Sequence, residues 1–355
     1  MSTRVAIVGL GVLGRKLFRM LYKEFASYGL ELGLVADVND TAQLLYLLKH
    51  DTVYGNFDIS VGSVTSGTYY DTVNINGNDV IFYHSVDPLD LPIGEQNIQI
   101  VFDCTGLDST KEVLDGYLQN NAKFVIQCRI KPSNDILCIV WGINQSLVTP
   151  GDEYVCVQVP RGQTIAAVSL ANIVDTEFDI NTALIVDAGS YTNLNNLQDS
   201  PLAAVGSTFQ QGRAGAWNLI TSPAPYIKGI GLIMPKLNGK MMGREIRSGT
   251  IRGNISCGVY TLNNMFDSAQ FEKAWKFAAE SSTSLSEAIT NAVPFRWYVE
   301  EQLVSSDVVG DTNIVYCFGN FLQSDDTTVM INVIYDPITV QAANALAIAQ
   351  YWVKK

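Results

Sequence analysis

The chain has 355 residues, a formal net charge of −12, and 16 % charged against 47 % hydrophobic residues. That length builds two cores, while the acidic balance without a basic patch argues against nucleic acid and no apolar run is long enough to cross a bilayer. Six cysteines show no CxxC or zinc-like spacing, four of them sit inside apolar strand-like runs and read as buried thiols, a reducing, cytoplasmic compartment is expected, and a strand begins too early to leave room for a signal peptide.

The first predicted element is the apolar strand Arg4-Val5-Ala6-Ile7-Val8. It runs into Gly9-Leu10-Gly11-Val12-Leu13-Gly14, a G-x-G-x-x-G turn, and then a helix over 15–28. Gly9 allows the tight turn, Gly11 lets backbone amides approach a pyrophosphate, and Gly14 lets helix and strand pack closely. The start of the helix, with Val12 and Leu13, faces the phosphates with partial positive charge. The second strand, Leu32-Gly33-Leu34-Val35-Ala36, ends at Asp37. A carboxylate about 20 residues past the glycines can accept both ribose hydroxyls of an adenosine, and it favours NAD over NADP. The competing interpretation is an ordinary strand-end Asp in a βαβ unit that binds no nucleotide.

Further strands are predicted over 80–84 and 98–103, the latter closed by Cys104-Thr105-Gly106, with a helix over 111–121 and a strand over 123–128. This is doubly wound α/β architecture, with ligand expected at strand C-terminal ends, Thr105 and Gly106 among the contacts. The texture changes near Gly162. A helix over 164–175, a strand over 183–187 and a long Asn/Ser/Gly/Pro-rich stretch over 188–225 come first. Strands over 243–251 and 255–262, a helix over 268–280, strands near 313–318 and 329–335 and a last helix over 340–355 follow. The expected organisation is a Rossmann dinucleotide-binding domain over 1–160, completed by a C-terminal helix over 338–355. An α+β domain with a mixed sheet occupies 161–337.

Several segments then occur in an order that resembles one family. They are Leu47-Leu48-Lys49-His50-Asp51-Thr52-Val53-Tyr54-Gly55-Asn56-Phe57, Val101-Phe102-Asp103-Cys104-Thr105-Gly106, and Met234-Pro235-Lys236-Leu237-Asn238-Gly239-Lys240-Met241-Met242-Gly243. Leu303-Val304-Ser305-Ser306-Asp307-Val308-Val309-Gly310-Asp311 and Val333-Ile334-Tyr335-Asp336 complete the series. Together they resemble glyceraldehyde-3-phosphate dehydrogenases over nearly the whole chain. The resemblance implies NAD as cofactor, a small phosphorylated substrate, a cytoplasmic, glycolysis-related setting and assembly as a homotetramer. The apolar stretch 218–231 is compatible with such an assembly.

The family's chemistry needs a thiolate nucleophile beside a histidine. The nucleophile position falls on Arg161 and the base position on Gly189. A guanidinium stays protonated and cannot replace the thiolate. Cys156 lies five residues upstream, and the two histidines, His50 and His84, both fall in the first domain and read as structural. Thr192 and Arg213 match phosphate-site residues, and Arg161 adds a third candidate for an anion. A second phosphate-site threonine is Ala224, and the asparagine that holds the nicotinamide carboxamide is Pro337. Three interpretations follow: a non-catalytic NAD-binding homologue with a structural, assembly or sensing role; an active NAD-dependent oxidoreductase with altered chemistry on a small phosphorylated aldehyde or alcohol, with Arg161 as anion ligand and Asp187 or Tyr191 as base; or an ordinary enzyme using Cys156.

Overall fold

Strands of a parallel sheet buried on both faces carry continuous apolar runs, and the first half of the chain is built on them. In the computed structural model, which describes every residue except 1, 24–28, 129–130, 203–208, 282–294, 299–302 and 355, β1 (Thr3–Val8) leads into α1 (Val12–Lys23), β2 (Leu30–Ala36) and α2 (Thr41–Lys49). The short pair β3 (His50–Asp51) and β4 (Gly55–Asn56) follows, then β5 (Val61–Ser66), β6 (Tyr70–Ile75), β7 (Asn78–Tyr83), β8 (Ile100–Asp103), α3 (Lys111–Gln119), β9 (Phe124–Cys128), β10 (Leu137–Cys138) and β11 (Val155–Val159). One sheet of order β10-β11-β9-β8-β1-β2-β7-β6-β5 results. It is parallel from β10 to β7, and β7, β6 and β5 form an antiparallel edge. Its core includes Ala6, Val8, Leu34, Val101, Leu114 and Val125.

The remainder runs through α4 (Gly162–Phe178), β12 (Ile180–Ser190), β13 (Ile220–Ser222), α5 (Pro225–Ile233), β14 (Met241–Ser248), β15 (Asn254–Leu262), α6 (Ser268–Ser281), β16 (Phe295–Tyr298), β17 (Ile314–Asp325), β18 (Thr328–Tyr335) and α7 (Pro337–Val353). Its sheet has the order β13-β14-β12-β15-β18-β17-β16 and mixes parallel and antiparallel pairs. The fold is α/β with a Rossmann-like parallel sheet and a second, mixed sheet. Among the described residues, those up to 161 with those from 341 onward form one compact unit, and those of 162–340 form the other.

Two features tie down the second unit. Helix α4 is buried along most of its length, with Ile165, Ala166, Val168, Leu170 and Val174 among its enclosed residues. Asp336 caps α7: one oxygen accepts from Ile338 N and Thr339 N, while the other takes the Thr339 hydroxyl and Gly310 N. That carboxylate joins the segments 303–311 and 333–336, and Pro337 at the first helical position costs no hydrogen bond.

Several boundaries differ from the sequence expectation. Helix α1 starts at Val12, not Arg15, and its expected extension over 24–28 lies outside the described residues. Asp40 caps α2, a helix the sequence pattern did not flag, by accepting from Ala42 N and Gln43 N. The β5–β6 hairpin was missed because its exposed strand is almost wholly polar-facing. Helix α5 starts at Pro225, the last residue of the Asn/Ser/Gly/Pro-rich stretch, and runs through the apolar segment where no helix is expected from the sequence. Helix α7 begins three residues earlier than expected, where Asp336 caps it.

Candidate functional site

In the first unit the glycine turn is held by its neighbours. Gly9 has φ +88°, and a Cβ there would lie 2.8 Å from the Cys104 carbonyl and Thr105 Cα. At Gly14 a Cβ would collide with the Gly9 carbonyl oxygen. At Gly11 nothing lies within 4 Å of the same added atom. Gly9 and Gly14 are therefore glycines for the protein's own packing, whereas Gly11 faces open space. The first intrahelical bond of α1 runs from Arg15 N to Gly11 O, 2.9 Å. The amides of Val12 and Leu13 precede it, so the helix itself does not satisfy them. An anion is their natural acceptor.

Asp37 sits at the end of β2 as expected, but its carboxylate is not idle. Oδ2 accepts from Leu10 N at 2.7 Å, and Oδ1 accepts from both Asn39 N and Asn39 Nδ2 at 3.0 and 2.7 Å. A carboxylate has about four lone-pair sites. Three are taken, and the remaining one is on Oδ2. This narrows the expectation of two accepted hydroxyls to one. Beside it, Thr105 donates its hydroxyl to Asp103 Oδ1 at 2.7 Å, and Gly106 completes the turn at φ +72°. Asp103 is buried, and burial pushes its carboxyl above the usual range despite the hydrogen bonds from Thr105.

The segment 47–57 clasps the outer side of α1. Arg19 donates through Nε and Nη2 to Leu48 O, and through Nη1 to Gly55 O at 2.9 Å. Its guanidinium lies over the Phe57 ring, Lys16 lies over Tyr54, and Arg15 approaches Asp51 at 3.8 Å. Burial lowers the Arg19 pKa, opposed by the nearby Asp51 charge. The motif thus braces α1. The histidines do local work: His50 bonds Asn56 Oδ1 at 3.2 Å, and His84 lies 3.4 Å from Asp71.

Cys156 lies on β11 opposite Val125 and points at Asp115, Sγ to Oδ1 3.9 Å. Burial first, and the Asp115 charge second, push its thiol up to about 12. This is the reverse of the electropositive setting that makes a thiolate. Arg161 directly precedes α4, whose first residue Gly162 has no room for a side chain because a Cβ would collide with the backbone of Pro337.

In the second unit Gly189 is the penultimate residue of β12. A Cβ at Gly189 would run into the Asn254 side chain, with Cγ and Oδ1 at 2.6 Å. Asn254 is fully buried and donates to Asp187 Oδ1 at 2.6 Å, while the Tyr335 hydroxyl donates to Oδ2. Burial and the Asp187 charge hold the Tyr335 hydroxyl well above its ordinary range. Thr192 Oγ1 bonds Asn195 Oδ1 at 3.3 Å, and Arg213, largely exposed, pairs with Asp199 at 2.8 Å. Backbone bonds from Asn196 to Gln211 and from Ser200 to Gly212 bring their two loop segments together.

Asn254, Glu245 and Arg247 were not found from the sequence. Their only local signal is Glu245-Ile246-Arg247, two charges at alternate positions of a strand, a pattern that usually marks a solvated face. Among the described residues no group of His, Cys, Asp and Glu could hold a metal ion, and no helix is long and apolar enough to cross a membrane.

Two family models match. "Glyceraldehyde 3-phosphate dehydrogenase, NAD binding domain" covers residues 3–111, and "Glyceraldehyde 3-phosphate dehydrogenase, C-terminal domain" covers 163–336. A relative named glyceraldehyde-3-phosphate dehydrogenase 2, from Streptomyces avermitilis, is 29 % identical over 311 residues, 88 % of this chain and 86 % of the relative. Glyceraldehyde-3-phosphate dehydrogenase from Streptococcus pyogenes is 28 % identical over 330 residues, 93 % of this chain and 89 % of the relative.

Proposed function

Because this chain belongs to the glyceraldehyde-3-phosphate dehydrogenase family, we propose that it is a NAD-binding homologue without the family's phosphorylating aldehyde oxidation, acting through structure, assembly or sensing. The first unit carries the family's NAD-binding domain. Gly11, the free first-turn amides of Val12 and Leu13, and the last acceptor site on Asp37 support binding of the adenosine and pyrophosphate half.

The observation that carries the absence of turnover is the filled space at Gly189. An imidazole there would have to displace Asn254, which in turn holds the buried Asp187. The nucleophile is missing too: Arg161 stands at its position, and the Cys156 thiol is held protonated. Losing both members of such a pair removes several orders of magnitude of rate. Asp187, the base considered for altered chemistry, is buried and holds Asn254 on one oxygen and the Tyr335 hydroxyl on the other. The low share of charged residues supports a homo-oligomer, a tetramer by resemblance, and the buried thiols support a reducing, cytoplasmic setting. A small phosphorylated ligand at Thr192 and Arg213 belongs to the same proposal.

Titration of the purified protein with NAD, followed on the same sample by an assay with glyceraldehyde 3-phosphate and inorganic phosphate, tests it. Saturable NAD binding with no NADH production is expected. Turnover within about a hundredfold of an ordinary family member overturns the non-catalytic half, and no binding of NAD overturns the other.

A further inference from the structure

The two oxygens of the Asp37 carboxylate are engaged unequally. The residue is buried, and its own amide is fixed by Tyr83 O at 3.0 Å. Oδ2 accepts from Leu10 N in the glycine turn and keeps one lone-pair position. Oδ1 accepts twice from a single residue, from Asn39 N and from Asn39 Nδ2, and is full. The first of these two bonds is an Asx turn, which any amide hydrogen at position 39 would close. The second needs a side-chain donor, and Asn39 supplies it. Asn39 lies at the surface, yet its place is set from both sides: Asp37 is tied to Tyr83 before it, and Asp40 caps α2 after it through Ala42 N and Gln43 N.

A carboxylate that grips both hydroxyls of a ribose offers one acceptor position on each oxygen. Removing the Asn39 amide would restore that position on Oδ1, because only the backbone bond would remain there. We propose that Asn39 is a positioning residue for the dinucleotide: by filling Oδ1 it limits Asp37 to a single hydroxyl of the adenosine ribose, so that the protein reads the two hydroxyls of that sugar unequally. The specificity thus comes from the neighbour that occupies the acid as much as from the acid itself. This rests on NAD binding by the first unit and adds to it which atoms of the ribose are told apart. It concerns binding alone, and it stands whether or not the protein turns over an aldehyde.

Calorimetric titration of the wild type and of Asn39→Ala with NAD, and with NAD lacking either the 2′- or the 3′-hydroxyl of the adenosine ribose, tests it. In the wild type one of the two deoxy analogues should bind at least about tenfold more weakly than NAD, as for loss of a hydrogen bond to a charged group, and the other within about twofold of it. In Asn39→Ala, where Oδ1 is open, both analogues should bind at least about tenfold more weakly than NAD. A merely structural role for Asn39 would weaken all three ligands in proportion and keep their ratios as in the wild type, and that outcome overturns the proposal. So does a wild type that loses the same factor with either analogue, a comparison that needs no variant. Failure of the wild type to bind NAD at all overturns the NAD-binding reading and this inference with it, whereas NAD binding with equal losses for the two analogues overturns the inference alone.

Discussion

At Cys156 the charge state follows from what surrounds the sulfur. A thiol in apolar surroundings with a carboxylate 3.9 Å away resists ionising, because burial and like charge both disfavour the thiolate. With the pKa up to about 12, only about one molecule in 10⁴ carries the thiolate at pH 8. Alkylation of Cys156 by iodoacetamide should therefore be slow at neutral pH and rise about tenfold per pH unit through pH 10, followed by mass spectrometry of its peptide. A rate that is already high and level above pH 8 would mean an activated nucleophile and would restore Cys156 as the reacting group. Gly189 makes the complementary point about space. It is glycine because Asn254 stands in the volume that a side chain would need, and the two residues meet only in the folded sheet.

At the scale of the element, the turn between β1 and α1 separates glycines that the fold requires from one with open space beside it. An alanine at Gly14 would press its methyl into the Gly9 carbonyl, whereas one at Gly11 would meet nothing within 4 Å. Gly14→Ala should lower stability by about 2 kcal/mol or more, read from urea denaturation, with NAD affinity falling alongside. Gly11→Ala should leave the urea midpoint within about 0.5 kcal/mol of wild type yet weaken NAD binding at least about tenfold, since its methyl blocks the backbone's approach to the pyrophosphate. Undiminished binding in Gly11→Ala would remove the pyrophosphate from this turn. These elements were legible in the sequence because their signals are short-range: an apolar run, three glycines at fixed spacing, an acid about 20 residues on. Helix α2 has an equally local signal, Asp40 at its N-cap, which the pattern-reading passed over. The β5–β6 hairpin was harder, since β5 is almost wholly exposed and lacks the alternation that marks a half-buried strand, whereas β6 does alternate.

Over the whole molecule, legibility falls with sequence separation. Asp37 and its partner Leu10 are 27 residues apart within one βαβ unit, and the place of Asp37 at the end of β2 could be anticipated, although not that Asn39 would take two of its acceptor positions. Asn254 reaches Asp187 across 67 residues, and Gln163 reaches Glu245 across 82. No local pattern marks such pairs, so the sequence could suggest that Arg161 and Gly189 stand at the family's catalytic positions, but not that Asn254 lies against Gly189. The two units differ: in one the first-turn amides of α1 have no intrahelical acceptor and Asp37 keeps one acceptor position on Oδ2, while in the other Asp187 and Glu245 are held by neighbouring side chains. A ligand that binds only the native state suppresses opening of the region it holds, by about 2.7 kcal/mol at a hundredfold excess over its dissociation constant. Hydrogen exchange with and without NAD should therefore show slowed amides at residues 10–14, 37–39 and 105–106, with those of β12, β14 and β15 unchanged. Protection spreading into residues 162–340 would mean that the second unit also reads the dinucleotide, and a closed second unit would then be the wrong description.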